Sequence, residues 1–295
     1  MRLDDLDPSR NVDDLGRGGG GGGGFPLLGL LPLLLGRGKM GCGTIALLAI
    51  AAVAYFMFSG GLGSGGTAPR TGTSAGAGSA SNGVACDTAE ELFACRVLTS
   101  TEQSWGRVFQ ASGAQYPPPR LRFYSQQNMS GCGQAMSAMG PFYCPADNGI
   151  YLDTDFFREL SQKFGAAGDF AQAYVIAHEV GHHIQTIDGT ADRVRQAQAR
   201  ASQAEGNALQ VRMELQADCY AGVWGALNRD RLEPGDVEEG LRAASAIGDD
   251  TLQQAAGQRP VPESFTHGTS AQRVEWLRRG LQSGNPAACN TFAGA

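Results

Sequence analysis

The segment Ala177-His178-Glu179-Val180-Gly181-His182-His183-Ile184 holds three of the four histidines in the chain. On an α-helix, residues four apart share a face one turn apart, so His178 and His182 can bring two imidazole nitrogens to one cation. That is half of a zinc site. Glu179, rotated by about 100° from His178, stands beside such a metal, where a carboxylate can take a proton from the water that the metal binds. His183 is rotated by the same angle from His182 and faces away. Gly181 has no side chain, which lets another element approach the helix next to the ligands.

A catalytic zinc takes three protein ligands and leaves a fourth position for water. Two carboxylates compete for the third place. Asp188 lies six residues beyond His182, where some metallopeptidases deliver a ligand through a glycine turn at the third residue after the second histidine. That turn position is Gln185 here, which favours continuing the helix. Glu214 is the better choice: in Glu214-Leu215-Gln216-Ala217-Asp218 two carboxylates share one helical face, Glu214 to bind the metal and Asp218 to orient a ligand histidine. Leu215, Ala217, Cys219, Tyr220, Ala221, Val223 and Trp224 make the surrounding helix apolar, and carboxylates there need partners. His267, in a Gly/Ser/Thr loop before a helix, is the candidate donor to a tetrahedral oxyanion, with Tyr151 as a second candidate.

The elements that must position these groups follow from periodicity and turn chemistry. Thr88 to Gln110 reads as a helix capped by Asp87 or Thr88. Pro117 to Pro119 ends it and leads into a strand at Leu121–Tyr124; residues 130–149, with two cysteines, read as a stapled loop. A second strand, Gly149–Asp153, offers an edge onto which an extended peptide could add. Short helix 156–164 precedes the helix of the first motif, for which Asp169 is the expected N-cap and Ile187-Asp188-Gly189 the end. A polar stretch over 190–206, a long apolar helix over 208–227, a helix from Asp236, a connecting loop over 248–264 and a helix after Ser270 complete the chain. The fold class is α+β, mainly helical with a small sheet.

The first third of the chain differs from the rest. Residues 18–24 are seven consecutive glycines, and residues 59–83 are almost entirely Gly, Ser, Ala and Thr, stretches that cannot bury a core. Residues 1–39 read as a disordered tail, 40–58 as a single transmembrane helix of nineteen residues without a charge, 59–83 as a flexible linker and 84–295 as the folded domain. Phe25 to Leu35 is apolar but short and interrupted by Pro26 and Pro32. Arg37 and Lys39 precede the apolar run, so the positive-inside rule places the N-terminus in the cytoplasm and the large domain outside a cell membrane crossed once. Six cysteines beyond Cys42 suit an exported, disulfide-bearing domain; among fifteen connectivities the least entangled pairs Cys86 with Cys95, Cys132 with Cys144 and Cys219 with Cys289. With 23 Lys and Arg against 29 Asp and Glu and no basic cluster, the composition argues against a nucleic-acid partner. Nothing in the sequence speaks to oligomeric state.

The pairing of His178-Glu179-Val180-Gly181-His182-His183 with Glu214-Leu215-Gln216-Ala217-Asp218-Cys219 resembles the neutral zinc metallopeptidase family of bacteria and, more broadly, the gluzincins, in which two helices supply His, His and Glu. Tyr143-Cys144-Pro145-Ala146-Asp147, Tyr151-Leu152-Asp153 and Thr266-His267-Gly268-Thr269-Ser270-Ala271-Gln272-Arg273 extend the likeness over most of the chain. The resemblance implies a zincin fold, a Zn2+ cofactor and hydrolysis of peptide or protein substrates. Two other readings use the same residues: a zinc-stabilised binding or scaffold domain, against which Glu179 argues because a purely structural site needs no base, and a zinc amidase acting on cell-envelope material.

Overall fold

The computed structural model describes residues 1–17, 85–165 and 168–293. Its elements run β1 (Val12–Arg17), α1 (Ala89–Ala111), β2 (Arg120–Ser125), β3 (Gln127–Ser130), β4 (Gly133–Met136), β5 (Phe142–Cys144), β6 (Gly149–Asp153), α2 (Asp155–Phe164), α3 (Asp169–Ile187), α4 (Thr190–Gln198), α5 (Gln203–Leu227), α6 (Asp236–Ala246), α7 (Asp249–Ala255) and α8 (Ser270–Ser283). Helices and a small sheet make this the expected α+β architecture.

The main sheet has the order β1-β2-β6-β5, with β1, β2 and β6 parallel and β5 antiparallel to β6. Leu121 and Phe123 of β2 lie beside Ile150 and Leu152 of β6, and this face closes on the helical core. On the other face Tyr124, Cys144 and Tyr151 pack with Ala135 of the β3–β4 hairpin. Every residue of β6 is therefore buried. Strand 149–153 is an interior strand, not the expected peptide-accepting edge; the edges are β1 and β5, and β5 is the one beside it. Residues 130–149, expected as loop alone, contain β4 and β5, held by the Cys132–Cys144 disulfide.

Local signals account for the helix ends. Thr88 with Glu91 and Ser202 with Glu205 form reciprocal capping boxes at the starts of α1 and α5, each satisfying orphan amide groups. Helix α5 thus begins before the expected position near residue 208. Asp169 is the first residue of α3 and not its N-cap, a position held by Gly168. In the first turn its carboxylate still favours the positive end of the helix dipole. Helix α7 forms within the expected 248–264 loop.

Helices α3, α5 and α8 are the frame of the domain. A Cβ added at Gly181 of α3 would lie 2.9 Å from the Ala217 Cα of α5, so the absent side chain sets the approach of those helices. At Gly280 of α8 an added Cβ would come within 2.0 Å of the Cys219 carbonyl oxygen, fixing the second crossing in the same way. Trp224 stacks on Phe170 with ring centroids 6.0 Å apart, and its Nε1–H donates to Ser100 Oγ at 3.0 Å. The Cys219–Cys289 disulfide ties α5 to the C-terminal turn, and Cys86–Cys95 anchors the entry to α1.

Residues 1–17 correct the expectation of a disordered tail over 1–39. Leu3 and Leu6 are buried in the main core, and β1 pairs with β2 along Val12–Asp14. Asp13 accepts from Arg120 Nε at 2.7 Å, Asp5 pairs with Arg231, and Glu102 Oε1 accepts from Ser9 Oγ at 2.7 Å and Asn11 Nδ2 at 2.8 Å. The Met1 ammonium contacts Asp169 at the start of α3, Glu233 and Asp236. Charges that look like a solvated tail in sequence are partners of residues scattered along the chain. Residues 18–39, the apolar run 40–58 and the linker 59–83 lie outside the described residues. Among the described residues, no helix is long and apolar enough to cross a membrane.

Candidate metal centre

Helices α3 and α5 cross where Gly181 meets Ala217, and this contact brings the two halves of the sequence motif together. The ligand atoms of His178, His182 and Glu214 lie within 4.8 Å of one another. His178 Nε2 is 3.1 Å and His182 Nε2 3.5 Å from Glu214 Oε2, with the two imidazole planes perpendicular. Both Nε2 atoms thus face the same carboxylate oxygen. Asp188 is elsewhere: it accepts from the Thr190 amide at 2.8 Å at the end of α3.

Each ligand is held from behind. His178 Nδ1–H donates to Asp218 Oδ1 at 2.8 Å, which leaves Nε2 as the atom that faces Glu214. Asp218, with no exposed surface, also accepts from Tyr174 Oη at 2.6 Å and from Arg273 through Nε and Nη2, each at 2.9 Å. His182 Nδ1 donates to Gln185 Oε1 at 2.9 Å, while the Gln185 amide donates to the Met213 carbonyl and to Gln216 Oε1. Gln210 Nε2 donates to the other Glu214 oxygen at 2.9 Å. The donor set, two imidazoles and a carboxylate with their outward atoms occupied, fits a zinc ion bound through Nε2, Nε2 and a carboxylate oxygen.

Electrostatics agree with that fit. Burial works against a charged His178, yet the charge and hydrogen bond of Asp218 and the bond to Glu214 raise its pKa to about 10. His182 is likewise raised, its burial outweighed by Glu214. Burial also opposes ionisation of Glu214, but the charge of His182 and the hydrogen bond from His178 hold it well below the usual carboxylate range. For Asp218 burial is overcome by Arg273 and His178, leaving a pKa of about 2. Without metal, protons on the imidazoles supply positive charge where a cation would sit.

Glu179 behaves differently from Glu214. It is buried, and burial raises its pKa despite the two neighbouring histidines; the Tyr143 backbone N–H donates to it. Strand β5, which carries Tyr143, is one of the two edges of the main sheet, so this edge and the carboxylate are neighbours. His183 faces away from the centre: its Nε2–H donates to the Pro117 carbonyl at 2.6 Å and its Nδ1 accepts from Tyr143 Oη at 3.0 Å.

His267 stands outside the three-residue group, in the loop before α8, with 45% of its side chain exposed. Asp249 organises that loop, its Oδ2 accepting from the amides of Thr266, His267 and Gly268 and its Oδ1 facing His267 Nδ1 at 3.2 Å. Partial burial opposes a charge on His267, but Asp249 and the field of Glu214 raise its pKa. Tyr151 is committed elsewhere: its hydroxyl donates to Asp147 at 2.6 Å and accepts from Arg122 at 2.8 Å. Sequence reasoning did not assign roles to Gln185, Asp249 or Arg273. A buried arginine demands a carboxylate partner, but only the fold reveals that Arg273 and Asp218 meet.

The chain matches, over residues 1–292, the family described as "Putative neutral zinc metallopeptidase". It is 55% identical over 202 residues to "Uncharacterized protein YpfJ" of Escherichia coli strain K12, covering 68% of this chain and 70% of that one. It is 43% identical over 220 residues to "Uncharacterized protein Rv2575" of Mycobacterium tuberculosis strain H37Rv, covering 70% of this chain and 73% of the relative. No solved structure matches.

Proposed function

The chain belongs to the neutral zinc metallopeptidase family, and on that premise we propose that it is a zincin-like, gluzincin-type peptidase that hydrolyses peptide bonds in peptide or protein substrates. The observation that carries this reading is the convergence of the His178, His182 and Glu214 donor atoms within 4.8 Å, beside a buried Glu179. A zinc ion bound there supplies an acidified water and a Lewis acid for the scissile carbonyl. Glu179, whose proton affinity is raised by burial, takes the water proton and passes it to the leaving amine. His267, held by Asp249, donates to the developing oxyanion. Asp218 and Gln185 keep Nε2 of each ligand histidine turned inward.

Strand β5 replaces the interior β6 as the edge for substrate. An extended peptide adding to β5 lies beside Glu179 and gains backbone hydrogen bonds that are tolerant of sequence. The chain is held at the cell membrane by the apolar run 40–58, with its catalytic domain on the oxidising, extracytoplasmic side that suits three disulfides.

The test is metal content and cleavage measured together on the full chain in detergent. Near-stoichiometric zinc, cleavage of a mixed peptide library, loss of cleavage on chelation and its return with zinc are expected. Stoichiometric zinc without cleavage of any peptide would favour the binding domain or the envelope amidase, and absence of zinc binding would overturn the reading.

A further inference from the structure

Residues 1–17 and 85–293 form one folded unit, although the nineteen-residue uncharged apolar run 40–58 lies between them in sequence. The attachment of the first segment is extensive. Leu3 is 2% exposed and Leu6 8%, both within the main core. Strand β1 continues the sheet through β2. The Arg2 amide donates to the Arg231 carbonyl at 2.8 Å, Arg96 pairs with Asp4 at 2.6 Å, and Thr99 Oγ1 donates to the Asp7 carbonyl at 2.8 Å. These contacts reach α1, the sheet and the turn after α5, so the segment is a structural strap across the domain.

A single crossing by 40–58 puts residues 1–17 and 85–293 on opposite sides of the membrane. The strap and the domain could not then touch, and a second copy in the same orientation would face the same barrier. We propose that residues 1–17 lie on the same side of the membrane as the catalytic domain, into whose core and sheet they are built. This rests on membrane attachment through the apolar run, and it replaces a cytoplasmic N-terminus.

The charges of the intervening sequence agree with this placement. Arg37 and Lys39 are the only charged residues between Arg17 and Arg70. They separate an uncharged stretch over 18–36, which contains the apolar Phe25 to Leu35, from the uncharged stretch over 40–58. The basic pair lies in sequence between the two parts of the folded unit, so the positive-inside bias acts on the intervening stretch and not on either end. Both ends then remain outside, where β1 can join β2 and the three disulfides can persist.

The experiment places single cysteines at exposed positions of the full chain in a Cys42→Ser background: Arg10→Cys or Asp7→Cys in the strap, and Arg200→Cys in the domain. Spheroplasts of expressing cells are treated with a membrane-impermeant maleimide, before and after permeabilisation, and label is read on the full-length band. Equal labelling of strap and domain positions without permeabilisation, on protein that resists a carbonate wash, is expected. Strap cysteines that label only after permeabilisation, while Arg200→Cys labels before it, would overturn the proposal. Release of the protein by the carbonate wash would overturn the membrane attachment on which the proposal rests and leave the peptidase reading untouched, since that reading is scored by zinc and cleavage.

Discussion

The two sides of the candidate site are built to different standards of rigidity. The α3–α5 side buries Asp218 completely and saturates it with donors from His178, Tyr174 and Arg273. The α7–α8 side presents His267 with 45% of its side chain exposed, steered by Asp249 alone among the acidic groups that bond it. The first arrangement fixes the directions of the proposed metal ligands, where small displacements would cost affinity. The second leaves His267, the proposed oxyanion donor, partly open to solvent. Metal retention and catalysis should therefore separate when the two sides are altered.

The largest effect is expected on the buried side. Glu214→Gln removes the only carboxylate of the three-residue group, so zinc should fall well below one per chain by elemental analysis and cleavage should drop to background. Zinc retained at full stoichiometry would remove Glu214 from the ligand set. Arg273→Leu tests the layer behind it. Leaving Asp218 buried without its main cationic partner should cost about 3–5 kcal/mol of stability. A lower melting temperature and zinc affinity reduced by about 10–100-fold are expected; unchanged values would show that the network does not position His178.

The exposed side should respond in turnover alone. His267→Ala should lower kcat by about 10²–10³, while zinc content stays at one and stability stays within about 0.5 kcal/mol. Asp249→Asn should reproduce part of that loss. A variant that loses zinc instead would move His267 to the buried side of the comparison.

A smaller effect links the buried side to pH. With His178 raised to about 10 and His182 also raised, the metal-free centre carries protons that zinc must displace. Calorimetry in buffers of different ionisation enthalpy should show proton release on zinc binding, and affinity should weaken as pH falls. The sign for the chelated protein is opposite. Raised histidine pKa values give it a stabilising contribution that is full below the ordinary imidazole value of about 6.5 and is lost as pH rises through about 10.

What was legible in the sequence was whatever depends on neighbours within a few turns. The spacing of His178 and His182, the shared face of Glu214 and Asp218, the gap left by Gly181 and most helix limits are local properties, and the structure displays each. The least entangled pairing of the six cysteines, each with its neighbour in sequence, also formed. What was hidden depends on distant partners. Asp4, Asp5 and Asp13 read as a solvated tail because Arg96, Arg231 and Arg120 lie far along the chain. Strand β6 read as an edge because its alternation resembles a half-buried strand, whereas β1, β2 and β5 complete the sheet around it. Gln185, Asp249 and Arg273 are ordinary polar residues until the fold supplies His182, the His267 loop and Asp218.

The most direct test of the central claim compares the full-length wild-type chain with Glu179→Gln for zinc content and for cleavage of the same peptide library. Equal zinc, with the rate of the variant lower by at least about 10²-fold, is the predicted result. Equal zinc with equal cleavage would contradict the assignment of Glu179 as the base and, with it, the mechanism built on this centre.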